Sequence, residues 1–210
     1  MSIRQLVRHP VVSVLDPNVR MRARGKALRP WWKWRFASFG DATVLVAPRW
    51  IVGAHKIEIG AGTRIFRGAW LAAEASTWSS PGPGLSIGKN CTIRDDVVLS
   101  ASEQVVIEDN VGISGRVLVI DSDHTWSEGS AFVSNNPSVT TPVRIGEGTW
   151  IGEQSMVLRG TDIGRFCLVA ANSVVRGTFP DFSIIAGTPA KVIGSNRRHI
   201  HDSLMDGESG

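Results

Sequence analysis

Few side chains in this 210-residue chain can move a proton near neutral pH: the histidines His9, His55, His124, His199 and His201. His124 stands apart by its setting, Asp121-Ser122-Asp123-His124-Thr125-Trp126. An imidazole can take the proton of an attacking hydroxyl, and a carboxylate that accepts its Nδ1–H fixes the tautomer and raises its basicity. Either Asp121 or Asp123 would serve as that acceptor, and a backbone carbonyl would serve equally well. Alternate residues of an extended segment share a side, so the two aspartates projecting together would also suit a cation. Taken alone, a single histidine reads as a structural hydrogen-bond partner. The thiols of Cys91 and Cys167 are too few for a disulfide framework.

A second concentration of chemistry lies near the N-terminus. Residues 1–36 hold nine Lys and Arg against Asp16 alone, a charge of +8, so the rest of the chain carries −4 within a net +4. Trp31, Trp32 and Trp34 interleave with Lys33 and Arg35. Such a segment suits an anionic membrane face, a phosphorylated or lipid-linked sugar, or a base stack. The plainer reading is favoured: Trp caps a core while the cations face water. Peripheral membrane contact through this segment stays open, and a nucleic-acid partner is not expected.

Composition narrows the class. Hydrophobic residues at 42% and charged residues at 20% exclude bulk disorder, and no apolar run approaches the ~18 residues of a spanning helix. The apolar stretch Val11 to Leu15 is too short for the core of a secretory signal, so a soluble, cytoplasmic chain is expected.

The elements that must position His124 follow from an internal repeat. An aliphatic residue recurs every six positions: Ile145, Ile151, Val157, Ile163, Val169, Val175, with Ile59, Ile65, Leu71 and Ile87, Ile93, Leu99 on the same beat upstream. A small or β-branched residue sits four places later, as at Thr63, Cys91, Thr149, Ser155, Thr161, Cys167 and Ser173. Six residues turn a helix by about 240° net, so no helical face keeps this stripe. Three short strands per coil with a tight corner after each do keep it, stacking the aliphatic residues in columns about 4.8 Å apart. Both cysteines fall at the small inward position and read as core. Glycine directly after the aliphatic residue is expected to relieve strain in the bend. The repeat is interrupted at 76–84 and at 121–142, and such loops on a rigid scaffold carry function. The chain divides into a basic, Trp-rich segment 1–40, a β-helix 41–180 with the protruding loop 121–142, and a C-terminal segment 181–210.

Three motifs on this frame resemble the hexapeptide-repeat acyltransferases, in their maltose, galactoside and exopolysaccharide O-acetyltransferase branch. Pro142-Val143-Arg144-Ile145-Gly146-Glu147-Gly148-Thr149-Trp150-Ile151-Gly152 is similar to the family's PVxIGxxxWIG segment. Val169-Ala170-Ala171-Asn172-Ser173-Val174-Val175 is similar to its IGAGSVV coil, and Ala186-Gly187-Thr188-Pro189-Ala190-Lys191-Val192-Ile193 to its closing aGnPAKvI. The resemblance implies an all-β fold, a left-handed parallel β-helix, assembled as a homotrimer with acetyl-CoA as acyl donor in the groove between subunits and no metal. It makes His124 the general base. It sets Trp150 beside the pantetheine arm, with trimer packing the equal alternative. It lets Gly152 approach the ligand, and brings the backbone of Ala170 and Ala171 to the CoA chain. Where the family has Gly-Ala-Gly, this chain has Ala170-Ala171-Asn172, and Asn suits a left-handed corner. The family's phosphate-facing Lys is absent, leaving Arg176 or Lys191 for that charge. The place of the sugar-gripping Asn falls near Arg94, beside Asp95 and Asp96, which implies an acceptor other than a plain galactoside or maltoside, such as one that carries an anion.

The activity implied is O-acyl transfer, acetyl by expectation, to a sugar hydroxyl of a polysaccharide, a glycolipid or a precursor of either. Alternatives are N-acetylation of an amino sugar or xenobiotic, and a non-catalytic hexapeptide scaffold. A γ-type carbonic anhydrase needs three histidines around zinc, and His124 has no companion within twenty residues.

Overall fold

The computed structural model describes residues 23, 25, 27–126 and 136–197. Residues 1–22, 24 and 26 with six of the basic segment's nine cations, residues 127–135 of the long loop, and residues 198–210 with His199 and His201 lie outside that range.

Each turn of chain lays down three short strands, and successive turns stack them into three parallel faces of a prism. Face I runs from Ser38–Phe39 through Ile57–Ile59, Leu85–Ile87, Val105–Ile107, Val143–Ile145 and Asp162–Ile163 to Thr178–Phe179. Face II runs from Val44–Leu45 through Arg64–Ile65, Thr92–Ile93, Gly112–Ile113, Trp150–Ile151 and Leu168–Val169 to Ser183–Gly187. Face III holds Trp50–Val52, Trp70–Ala73, Val98–Ala101, Leu118–Ile120, Met156–Val157 and Val174–Val175. The register pairs hexad with hexad, for example Ile113 with Ile151 and Ile151 with Val169. Ile145, Ile151, Val157, Ile163, Val169 and Val175 are therefore wholly buried, each contributing roughly 1.5–3 kcal/mol of apolar burial.

The small inward residues tie one rung to the next. Thr63 Oγ1 donates to Gly88 O at 2.7 Å, Thr149 Oγ1 to Gly164 O at 2.9 Å and Ser155 Oγ to Ala170 O at 3.0 Å. The thiols copy the hydroxyls, with Cys91 Sγ 3.1 Å from Glu108 O and Cys167 Sγ 3.2 Å from Pro180 O. Burial raises both thiol pKa values, as expected of core cysteines.

The role of glycine differs from the expectation. At the regular four-residue corners the left-handed residue is the third after the inward aliphatic, not the first, as at Asp96 (φ 58°), Gly148 (φ 66°), Gln154 (φ 59°) and Asn172 (φ 58°). Asn172 thus holds its bend as its side chain allows. Gly152, directly after Ile151, serves close approach instead, because a Cβ there would lie 2.4 Å from Ala171 N of the next rung.

The ends are covered differently. A helix at Arg29–Arg35 folds Trp32 onto Phe36, and Phe36 contacts Phe39 at the first rung, while Arg29 and Lys33 pair with Asp41. At the other end the sheets run beyond residue 180, because Ile185 continues the column of Val169 and Ala190–Ser195 pairs antiparallel with Ser183–Gly187. Among the described residues no helix is long and apolar enough to cross a membrane.

Candidate active site

Two edges of the prism carry the residues singled out by the sequence. The edge between faces III and I takes every excursion. Its corners are 53–56, 74–84, 102–104, the long arm 121–142, 158–161 and 176–177. The arm leaves after Ile120 as a two-stranded ribbon, Ser122–His124 against Ser138–Thr140, with His124 opposite Ser138. Thr125 extends the pairing, its Oγ1 donating to Pro137 O at 2.8 Å, while Asn136 Nδ2 donates to Thr125 O at 2.8 Å. His124 is exposed, and Trp126 beyond it is 74% exposed.

The two aspartates are committed elsewhere, which corrects the expectation that one of them receives Nδ1–H of His124. Asp121 is wholly buried and accepts the backbone N–H groups of Ser102, Glu103 and Gln104, each at 2.7 Å. Its carboxylate fills a nest formed by the corner below, so it roots the arm. Asp123 projects to the rung above, accepting from Arg159 Nε at 2.5 Å. The two carboxylates diverge and make no shared cation site; among the described residues no group of three His, Cys, Asp or Glu is placed to hold a metal ion. Arg159 was missed by the sequence reading. Its signal was its place two residues after the inward Val157, at the corner following the arm.

Trp150, Gly152, Ala170 and Ala171 come together on face II and the edge between faces II and III. Trp150 is 46% exposed, and its ring lies over Gly112, where a Cβ would strike it at 2.4 Å. Gly152 stacks directly on Ala170 and Ala171, so this edge carries nothing larger than a methyl group there. Lys191, exposed, pairs with Ala186 in the terminal ribbon on the same face. Arg176 is separate from this group: it follows Val175 at the edge between faces III and I, on the side of His124. Arg94, Asp95 and Asp96 lie at the edge between faces II and III, on the third rung. Arg94 stacks on Phe66 at 4.6 Å, and Asp95 pairs with Arg67 at 3.3 Å. Within one chain, then, His124 and the Trp150 group stand on opposite edges of face III.

Comparison with known proteins accords with this architecture. Residues 142–177 match the family model described as bacterial transferase hexapeptide (six repeats). A protein of Mycobacterium tuberculosis named as a probable acetyltransferase is 32% identical over 80% of this chain and 59% of its own length. An Escherichia coli protein provisionally named as a lipopolysaccharide biosynthesis O-acetyl transferase is 37% identical over 55% of this chain and 61% of its own. The chain thus spans about 60% of the length of these two relatives. Among solved structures, AntD, an N-acyltransferase from Bacillus cereus in complex with dTDP and 3-hydroxybutyryl-CoA, superposes with a TM-score of 0.70 at 21% identity, over 86% of this chain and 96% of that one. Its likeness concerns the fold, a left-handed parallel β-helix. On its repeat, its corners and these relatives, the chain carries the bacterial transferase hexapeptide repeat and is similar to acetyltransferases that share it.

Proposed function

We propose that the protein is an acyl-CoA-dependent O-acyltransferase, transferring acetyl to a sugar hydroxyl of a polysaccharide, a glycolipid or a precursor, with His124 as general base. The observation that carries this is an exposed imidazole on an arm whose root is fixed twice, by Asp121 on three amides and by Asp123 on Arg159. A base held in place without losing its access to solvent is what proton removal from a bound hydroxyl requires. When bound, acyl-CoA supplies the thioester carbonyl carbon. His124 accepts the hydroxyl proton as the new C–O bond forms and returns it to sulfur as the C–S bond breaks, so the products are the ester and the free thiol. The bare strip of Gly152, Ala170 and Ala171 beside the exposed indole of Trp150 fits a pantetheine arm, which needs close approach to the backbone and an apolar wall.

Because these residues lie across face III from His124, the reading needs a homotrimer in which one copy's arm meets its neighbour's strip. The outward row of face III, with Trp70, Val98, Leu118, Met156 and Val174 in register, supplies apolar surface for that contact. The test is thiol release from acetyl-CoA against a panel of sugars, glycolipids and amines. His124→Ala is expected to lower turnover at least about 100-fold with CoA affinity kept. Near-normal turnover would remove His124 from the mechanism, and release with amines alone would make the transfer N-directed.

A further inference from the structure

The edge that carries the arm also carries a second feature, a cleft of about 340 Å³ at the corner between the first two rungs. It is lined by Trp34 and Arg35 from the N-terminal helix, by Ile51, Gly53 and His55, and by Trp78 from the 76–84 excursion. Trp34 is 81% and Trp78 48% exposed, so two large indoles face solvent around one concavity. The excursion is fastened rather than loose. Trp78 Nε1 donates to Ala73 O at 2.9 Å, its ring meets His55 edge-on at 5.3 Å, and Lys56 Nζ reaches Gly82 O at 2.8 Å. The far side of the same excursion, Ser80 to Gly84, lines a smaller hollow with Glu103, Gln104 and Pro142. Those last residues adjoin the arm's root, since the amides of Glu103 and Gln104 hold Asp121.

We propose that this edge is a track for an extended glycan, with the reacting hydroxyl at His124 and a distal sugar unit in the Trp34–Trp78 cleft. The inference rests on the acyl-transfer reading and names its substrate class: an oligosaccharide or polymer rather than a free monosaccharide. The cleft and the arm are about three rungs apart, some 14 Å at the strand spacing, longer than any single sugar ring. Indole faces suit the apolar C–H faces of sugar rings, and the imidazole and guanidinium that also line the cleft supply donors for hydroxyl or carboxylate groups. A lipid surface fits less well. Arg29 and Lys33 are both drawn onto Asp41, Lys56 is spent on carbonyls, and the Trp78 N–H is turned inward, away from any headgroup layer.

The experiment measures binding and transfer separately on the full-length protein. The probes are neutral and uronic-acid-containing oligosaccharides of one to six units, and vesicles with and without an anionic phospholipid. Affinity is expected to rise with glycan length, and Trp34→Ala, a change on an exposed helix face, is expected to remove about tenfold or more of it for long glycans and nothing for monosaccharides. Trp34→Phe is expected to restore most of the loss, and His124→Ala to leave binding intact. Equal binding by the wild type and Trp34→Ala at every length would overturn the proposal. So would failure of the wild type to bind any glycan, or a Trp34-dependent affinity for anionic vesicles alone. Trp34-dependent glycan binding without thiol release would uphold the cleft and sink the acyl-transfer reading instead.

Discussion

The edges on either side of face III are built on one six-residue beat and differ in what their corners admit. Between faces II and III every corner from the second rung on has the same length, and its left-handed residue recurs as Gly68, Asp96, Arg116, Gln154 and Asn172. Between faces III and I the connection lengths vary, from two residues at 176–177 to the long arm at 121–142. The regular edge is constrained because its side chains and backbone meet the next rung at contact distance, as Gly152 does with Ala171. The irregular edge can swell outward, where a side chain at Gly82 would meet nothing within 4 Å. Regularity on one edge keeps the prism straight, which frees the other to carry insertions.

The largest test of that contrast is an insertion pair. Two residues added after Gln154 are expected to prevent cooperative folding, because Ser155 Oγ loses Ala170 O and every later column shifts. The same insertion after Gly82 is expected to cost under about 0.6 kcal/mol, the scale of a modest loop extension. Thermal melts of the two variants decide it, and equal midpoints would break the comparison.

Asp121→Ala comes next. It strands three N–H groups that now bond a buried carboxylate, and the expected loss is about 3 kcal/mol or more, read from the denaturant midpoint. If Asp121 merely assisted His124, stability would hold and turnover alone would fall. Asp123→Asn should act more weakly, since its pair with Arg159 is partly exposed and worth at most about 1 kcal/mol. Turnover is expected to drop about fivefold with CoA affinity unchanged, and the double variant with Arg159→Ala to do no worse than either single change.

The smallest effect belongs to the third edge, between faces I and II. The Arg165 backbone N–H, and then its side chain, hold the Asp181 carboxyl below the usual carboxylate range. A depressed folded-state pKa stabilises fully above the unfolded value of about 3.9 and is lost as pH falls through the lower folded value. Asp181→Asn should therefore flatten the acid limb of a stability profile and leave neutral pH nearly unaffected; an unchanged limb would contradict the assignment.

How much of this was legible before any coordinates is clearest at particular residues. Ile145 through Val175 announced their columns because burial repeats with the chain, and Cys91 and Cys167 could be placed in the core for the same reason. The corner at Asn172 was legible too, since Asn is among the side chains that tolerate a left-handed backbone. Asp121 was misread because nearness in sequence to His124 suggested a partnership, whereas its amide partners come from the rung below, 17 to 19 residues earlier. Arg159 was overlooked for the converse reason, lying 36 residues from the carboxylate it holds.

The chain's own order of residues therefore determined the three-sided coil, its core and the two places where the coil is interrupted, because those depend only on a local period. It also marked His124 through its setting and motifs. Stacking alone decided which residues share an edge: that Arg176 falls on the side of His124, that the Trp150 strip falls across face III, and that Trp34 and Trp78 meet around one cleft. Such lateral neighbours are set by contacts between rungs, and no spacing along one strand encodes them.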